Sequence, residues 1–295
     1  MSRIEPRPLV LAVDGSPSSD RALVWACDEA RRDARPLHVV HARPDLSAAA
    51  RGGLFSALTP EQVDQLEAAS QELLDSAVAR ARELAPGVLV TGRLTKGSPA
   101  RAVIEASPGA FAVVMGARGR GAVTSMLLGS VSAQVARHAR CPVVVVKDVE
   151  DPQRPREGVV VGIDGSPQSD AALAFAFEEA DSRRSALDVV HAWSFEHLAP
   201  AGVLAEAMTK QYQSEPEHRQ LVEDTLAPWR DKYPGVEIRP KAVHALAVPA
   251  LLEASDGAHL LVVGSRGHGG FADLLLGSVS RNLLQRAGCP VAVVR

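Results

Sequence analysis

The pattern Gly116-x2-Gly119-x9-Gly129-Ser130 returns as Gly264-x2-Gly267-x9-Gly277-Ser278, and this doubling constrains the fold more than any other feature of the chain. Two further landmarks return in step. Asp14-Gly15-Ser16-Pro17 reappears as Asp164-Gly165-Ser166-Pro167, and Cys141-Pro142-Val143 as Cys289-Pro290-Val291. The repeat period is the size of a domain, and 295 residues is about twice the commonest domain length of roughly 100–150 residues. The expected division is 1–147 and 158–295, with the polar, proline-bearing stretch 148–157 as connector.

Within each copy, short apolar runs alternate with amphipathic stretches, the pattern of a parallel sheet covered by helices. Strands are predicted at Leu9–Val13, Leu37–His41, Val88–Leu94, Phe111–Gly116 and Pro142–Val146. Their counterparts are Val159–Ile163, Leu187–His191, Val236–Val243, His259–Gly264 and Pro290–Val294. The fold class is therefore α/β: two tandem doubly wound domains, each a five-stranded parallel sheet with helices on both faces. Ser16-Pro17 and Ser166-Pro167 mark helix starts, serine as cap and proline in the first turn. The first helix should turn Ala22, Trp25, Ala26 and Ala30 inward, matched by Ala172, Phe175, Ala176 and Glu179 or Ala180. A long charged helix is expected over Pro60–Leu84, and the weakly patterned stretches Asp45–Thr59 and Phe195–Pro216 read as lids or interaction surfaces.

Composition removes several function classes. No apolar run reaches the ~20 residues of a membrane span, and Met1–Val13 lacks the features of a secretory signal, so a cytoplasmic protein is expected. A formal net charge of −3 without a long basic run argues against nucleic acid as the main partner. Cys27, Cys141 and Cys289 fit no metal or redox spacing and read as buried thiols.

The chemistry lies in the glycine loops. Each starts at the carboxyl end of a predicted parallel strand, where doubly wound sheets bind ligands. The glycines are read as permitting positive φ and close approach of backbone to an anion, so that a Cβ at Gly116 or Gly264 would crowd a phosphate. Ser130 and Ser278 fall where the next helix should begin and its free N–H groups would face the same phosphates, with Ser132 and Ser280 as further donors. Asp14 and Asp164 sit just past the first strand. Each could hold a ribose hydroxyl or help place a divalent metal, or could simply bond local N–H groups in the turn. His41 and His191 read as strand-end packing residues, since no nucleophile motif accompanies them. Trp193 and Trp229 have no repeat counterparts and read as packing or flap residues.

Gly-2x-Gly-9x-Gly-Ser after an apolar strand, with an early Asp and a closing Cys-Pro-Val strand, resembles the universal stress protein family in its tandem two-domain form. The resemblance covers nearly the whole chain. It implies a fold of the adenine nucleotide alpha hydrolase-like type and an ATP site in each domain, with Mg2+ accompanying the phosphates. Carried over, the phosphates and ribose would meet Gly116, Arg118, Gly119, Gly129, Ser130, Val131 and Ser132, or Gly264, Arg266, Gly267, Gly277, Ser278, Val279 and Ser280. The adenine side would meet Val13, Asp14 and Ala42, or Ile163, Asp164 and Ala192. The family's Gly-x-Pro ahead of the third helix is kept as Gly97-Ser98-Pro99 and is expected to be replaced by Ala247-Val248-Pro249 in the second copy.

The resemblance implies an ATP-binding regulatory protein whose loaded state alters its assembly or a regulatory protein partner. The rival readings are a slow ATP hydrolase or adenylating enzyme, and a scaffold that binds no nucleotide. The apolar last strands, Val143–Val146 and Val291–Val294, are expected to be pairing edges. They would join the two domains as a pseudo-dimer within the chain and support a homodimer.

Overall fold

A computed structural model gives the fold and describes residues 6–43, 45, 59–119, 128–147, 156–194, 204–267 and 275–295. The chain divides into two compact units, Met1–Asp148 and Val149–Arg295. The first contains β1 (Leu9–Ala12), α1 (Pro17–Arg32), β2 (Leu37–Arg43), α2 (Pro60–Leu84), β3 (Val90–Lys96), α3 (Pro99–Ala106), β4 (Ala112–Gly116), α4 (Ser130–His138) and β5 (Val143–Val146). Its strands lie in the order β3-β2-β1-β4-β5, all parallel. The second contains β6 (Val159–Ile163), α5 (Pro167–Arg183), β7 (Leu187–Trp193), α6 (Leu204–Lys232), β8 (Ile238–His244), α7 (Ala247–Ala254), β9 (Leu260–Gly264), α8 (Ser278–Arg286) and β10 (Val291–Val294). Its order is β8-β7-β6-β9-β10, again parallel.

The sequence explains this layering. The strands β4 (AVVMG) and β5 (VVVV) are buried along their whole length, as continuous apolar runs must be when helices cover both faces. From β1 the chain steps outward to β2 and β3, then crosses back to lay β4 on the other side of β1. The reversal opens a crevice beyond the carboxyl ends of β1 and β4, and beyond β6 and β9 in the second unit.

Local chemistry sets the helix starts. Ser16 Oγ accepts from Ser19 N–H at 3.2 Å, with Pro17 in the first turn, and Ser166 Oγ does the same for Ser169. Thr59 and Gln62 close a reciprocal capping box on α2. The small face Ala22, Ala26 and Ala30 lets α1 pack closely on the sheet, whereas Trp25 is half-buried. Its counterpart Phe175 is buried, and so is Glu179.

Two expectations change. Most of the stretch expected to be weakly patterned between Phe195 and Pro216 is helical, because α6 starts at Leu204 and runs on through Pro216 and Pro228. Helix-favouring residues around each proline offset the loss of a single N–H. Residues 46–58 and 195–203 lie outside the described residues. The counterpart of Gly97-Ser98-Pro99 is Ala245-Leu246-Ala247, because α7 starts at Ala247 as α3 starts at Pro99. Pro249 lies inside α7, and the earlier match rested on proline identity rather than on helix position. Within the expected connector, Glu157 N–H donates to the Gly257 carbonyl at 3.1 Å and Arg156 reaches the Ala258 and Gly288 carbonyls. Those two residues are fastened to the second unit. Among the described residues no helix is long and apolar enough to cross a membrane.

Candidate functional site

A cavity of about 350 Å³ opens at the crevice of the first unit, and one of about 360 Å³ at that of the second. Every site residue expected from the sequence lines one of them. Val13, Asp14, Ala42, Gly116, Arg118, Gly119, Gly129, Ser130, Val131 and Ser132 line the first. Ile163, Asp164, Ala192, Gly264, Arg266, Gly267, Gly277, Ser278, Val279 and Ser280 line the second. Of the other residues in the glycine loops, Arg120, Gly121, His268, Gly269 and Gly270 lie outside the described residues.

The polar end is built from three segments tied together. Asp14 Oδ1 accepts from Ser16 N–H at 3.0 Å, and Asp164 Oδ1 from Ser166 N–H at 3.0 Å, so each carboxylate braces its turn with one oxygen. The turn itself needs a left-handed residue, supplied by Gly15 (φ 71°) and Gly165 (φ 80°). Ser16 Oγ donates to the Arg118 carbonyl at 3.2 Å, binding the turn to the glycine loop. The loop closes on itself where Gly129 N–H donates to the Ala117 carbonyl at 2.8 Å, and Gly277 N–H to the Ser265 carbonyl at 2.7 Å.

The helices that follow the loops start differently from most others. α1, α2, α3 and α5 each have a serine or threonine whose side chain accepts a first-turn N–H. α4 and α8 begin at Ser130 and Ser278 with Gly129 and Gly277 as caps, and neither has a side-chain cap. The first-turn N–H groups of a helix have no partner within it, so at both cavities they stand ready for an anion, reinforced by the helix dipole.

Two sequence readings are corrected here. Gly116, Gly119, Gly129, Gly264, Gly267 and Gly277 do not adopt positive φ. They are small because neighbouring protein atoms crowd them: a Cβ on Gly116 would meet the Ser18 backbone, and one on Gly119 would sit 2.5 Å from Asp14 Oδ2. The hydroxyls of Ser132 and Ser280 are buried and turned inward. Ser132 Oγ donates to the Gly116 and Ala117 carbonyls at 3.0 and 3.1 Å, and Ser280 Oγ to those of Ser265 and Gly277, both at 3.1 Å. They hold the loop's shape and have no hydroxyl proton left to give a phosphate.

The other end of each cavity is apolar, and half of it was missed. Val40, Pro99, Val103 and Met115 line the first; Val190, Ala247, Leu251 and Val263 line the second. Val40 and Val190 were accessible to reasoning, since they share a strand face with Ala42 and Ala192. The rings of His41 and His191 lie across the strand from that face, with Nδ1 2.8 and 3.0 Å from the Val13 and Ile163 carbonyl oxygens. They fix the ends of β1 and β6. Ala12 and Ser19 complete the first lining, and Gly162 and Ser169 the second.

The universal stress protein family model matches residues 6–147 and again 156–295. The chain belongs to the universal stress protein family. Universal stress protein Rv1996 of Mycobacterium tuberculosis is 36% identical over 299 residues, covering 97% of this chain and 94% of its own length. A universal stress protein of Mycolicibacterium smegmatis is 36% identical over 289 residues, covering 97% and 96%. The crystal structure of a universal stress protein from Archaeoglobus fulgidus shares the fold over 99% of this chain and 97% of that one, with a TM-score of 0.70 at 20% identity. The two cavities of this universal stress protein thus lie in equivalent places of its two family repeats.

Proposed function

We propose that each domain, 1–147 and 158–295 joined by 148–157, binds one adenine nucleotide, ATP with Mg2+, and that the loaded state is a regulatory signal in the stress response. The carrying observation is the uncapped helix start at Gly129-Ser130 and Gly277-Ser278, opening onto a cavity whose opposite end is apolar. Backbone N–H groups suit phosphates, and a slot between Val40, Ala42, Pro99 and Val103 suits a flat base. A cavity of about 350 Å³ falls in the range of small-molecule sites, roughly 300–1,000 Å³.

Magnesium fits the donor set. Asp14 and Asp164 are the carboxylates lining the cavities and offer the hard oxygen Mg2+ prefers, the phosphates and water supplying the rest. The ion would neutralise phosphate charge. Among the described residues Arg118 and Arg266 are the only other ionisable lining residues, a composition suited to holding a nucleotide more than to proton transfer. The reading places this activity in the cytoplasm and carries its signal through a homodimer or a regulatory protein partner.

Calorimetric titration of nucleotide-free protein with ATP and Mg2+ tests the reading. Two sites per chain are expected, falling to one in Asp14→Ala or Asp164→Ala if the carboxylates serve the ligand. Absence of heat and of displacement by a fluorescent ATP analogue would refute it.

A further inference from the structure

The two cavities agree residue for residue at the polar end and part at the apolar end. Where the first is walled by Ala12, Pro99, Val103 and Met115, the second has Gly162, Ala247, Leu251 and Val263. The changes are coupled. A Cβ on Gly162 would lie 2.9 and 3.0 Å from the two Cδ atoms of Leu251 and 3.4 Å from Val263 Cγ1. Leu251 therefore rests on the β6 backbone, in the space that an alanine at this position, such as Ala12 in the first unit, would need.

The exchange keeps the size of the cavity, about 350 Å³ against about 360 Å³, and changes what bounds it. Pro99 and Val103 on α3, like Ala247 and Leu251 on α7, stand one turn apart on the same helix face. In the second unit bulk has moved along that face, off the helix start and onto the sheet. Leu251 is buried and already in contact with strand backbone, so it has no room to retreat from a ligand. Val263 is branched at Cβ and has little torsional freedom. The first unit has the shorter Val103 and, in place of Val263, the unbranched Met115, whose three rotatable bonds let it change shape.

We propose that the chain carries one base-tolerant and one base-selective nucleotide site. The first cavity adapts through Met115 to purine rings larger than adenine, and Leu251, positioned by Gly162, restricts the second to a ring of adenine's size. This rests on the reading of the cavities as nucleotide sites with the base at the apolar end.

The shared polar end lets both sites keep ATP, so the difference falls on the base alone. One methyl group is enough to reveal it: a methyl that an apolar pocket cannot house is rejected by roughly 10–200-fold. A methionine that turns aside gives up far less, because its thioether repacks against the new surface.

The test uses the full-length chain with methyl-labelled valine. Val40 lines the first cavity and Val190 the second, so their NMR signals report the two sites separately, and neither residue is altered in any variant. Each chain is titrated with ATP, 2-methyl-ATP, 8-methyl-ATP and N6-methyl-ATP in the presence of Mg2+, the three analogues enlarging the three edges of the purine. At least one analogue is expected to bind the first cavity within about threefold of ATP and the second about tenfold or more below ATP. Leu251→Val should admit that analogue to the second cavity, and Met115→Val should exclude it from the first. Gly162→Ala, which drives Leu251 off the strand, should lower ATP affinity in the second cavity alone, and adding Leu251→Val should restore it. Analogues ranked alike in both cavities, one accepted only by the second, or a ranking that neither valine variant moves overturns the proposal and leaves the nucleotide reading intact. ATP affinity unchanged at the second cavity of Gly162→Ala does the same. No ATP binding at either cavity of the wild type overturns the nucleotide reading and this proposal with it.

Discussion

The Ser18 backbone occupies the space beside Gly116: a Cβ there would come 2.7 Å from the Ser18 carbonyl carbon and 2.8 Å from its oxygen. Glycine at this position lets α1 close onto β4. In the second unit Gly264 is matched against Gln168, with a Cβ 3.0 Å from both carbonyl atoms. Gly116→Ala is therefore a packing mutation, and overpacking against backbone costs about 1–3 kcal/mol. Urea unfolding should show a lowered midpoint for Gly116→Ala and a smaller loss for Gly264→Ala. Unchanged stability with lost nucleotide binding would mean that these glycines serve the ligand directly.

Gly119 and Gly267 should behave in the opposite way. The atom a Cβ would meet is Oδ2 of Asp14 or Asp164, the end of a short side chain that can rotate away. The cost then falls on the carboxylate that lines the cavity. Gly119→Ala and Gly267→Ala are expected to weaken Mg-nucleotide binding in their own cavity while lowering stability less than Gly116→Ala does, by about 1 kcal/mol at most through the strained Asp14 or Asp164 turn bond. Equal loss of affinity at both cavities from one substitution would contradict this.

Much of this was legible in the sequence because the landmarks are local. Ser16-Pro17, the apolar run ending at Gly116 and the glycine pattern itself each specify an element and a boundary without reference to the rest of the chain. What was missed depends on three dimensions. Pro99, Val103, Ala247 and Leu251 carry no polar signal, and only packing reveals that α3 and α7 wall the cavities. A glycine needed for φ and one needed for close approach read alike: Gly116, Gly119, Gly264 and Gly267 serve close approach, and positive φ belongs to Gly15 and Gly165 of the neighbouring turns. His191 and His218 meet at 3.0 Å from two elements that no spacing rule connects.

Ser16 has two tasks, capping α1 through Ser19 N–H and holding the Arg118 carbonyl at 3.2 Å. Ser16→Ala should cost about 1 kcal/mol through the lost cap and, by freeing the glycine loop, also lower nucleotide affinity in the first cavity. Ser98→Ala removes a cap from α3 without touching that loop, so it should lower stability more than affinity. Parallel behaviour of the two variants in calorimetry would show the Ser16–Arg118 bond to be without consequence.

Cys27 and Cys141 are buried, and burial pushes both thiols up to about 11, opposed for Cys27 by Arg80 and for Cys141 by the Val113 backbone and Arg7. Folded values above the unfolded one mean that unfolded thiols ionise first. The stability they contribute is present below pH 9 and is lost as pH rises from there through about 11. Iodoacetamide at mildly alkaline pH should leave both unmodified until denaturant is added, as read by peptide mass mapping. Rapid labelling of the native chain would contradict the burial.

The most direct measurement is native mass spectrometry of the full chain with ATP and Mg2+, counting nucleotides per polypeptide. The two equivalent cavities predict two adenine nucleotides per chain, falling to one when either Asp14 or Asp164 is replaced by alanine. A chain that carries none at saturating ATP would contradict the assignment of both cavities as nucleotide sites.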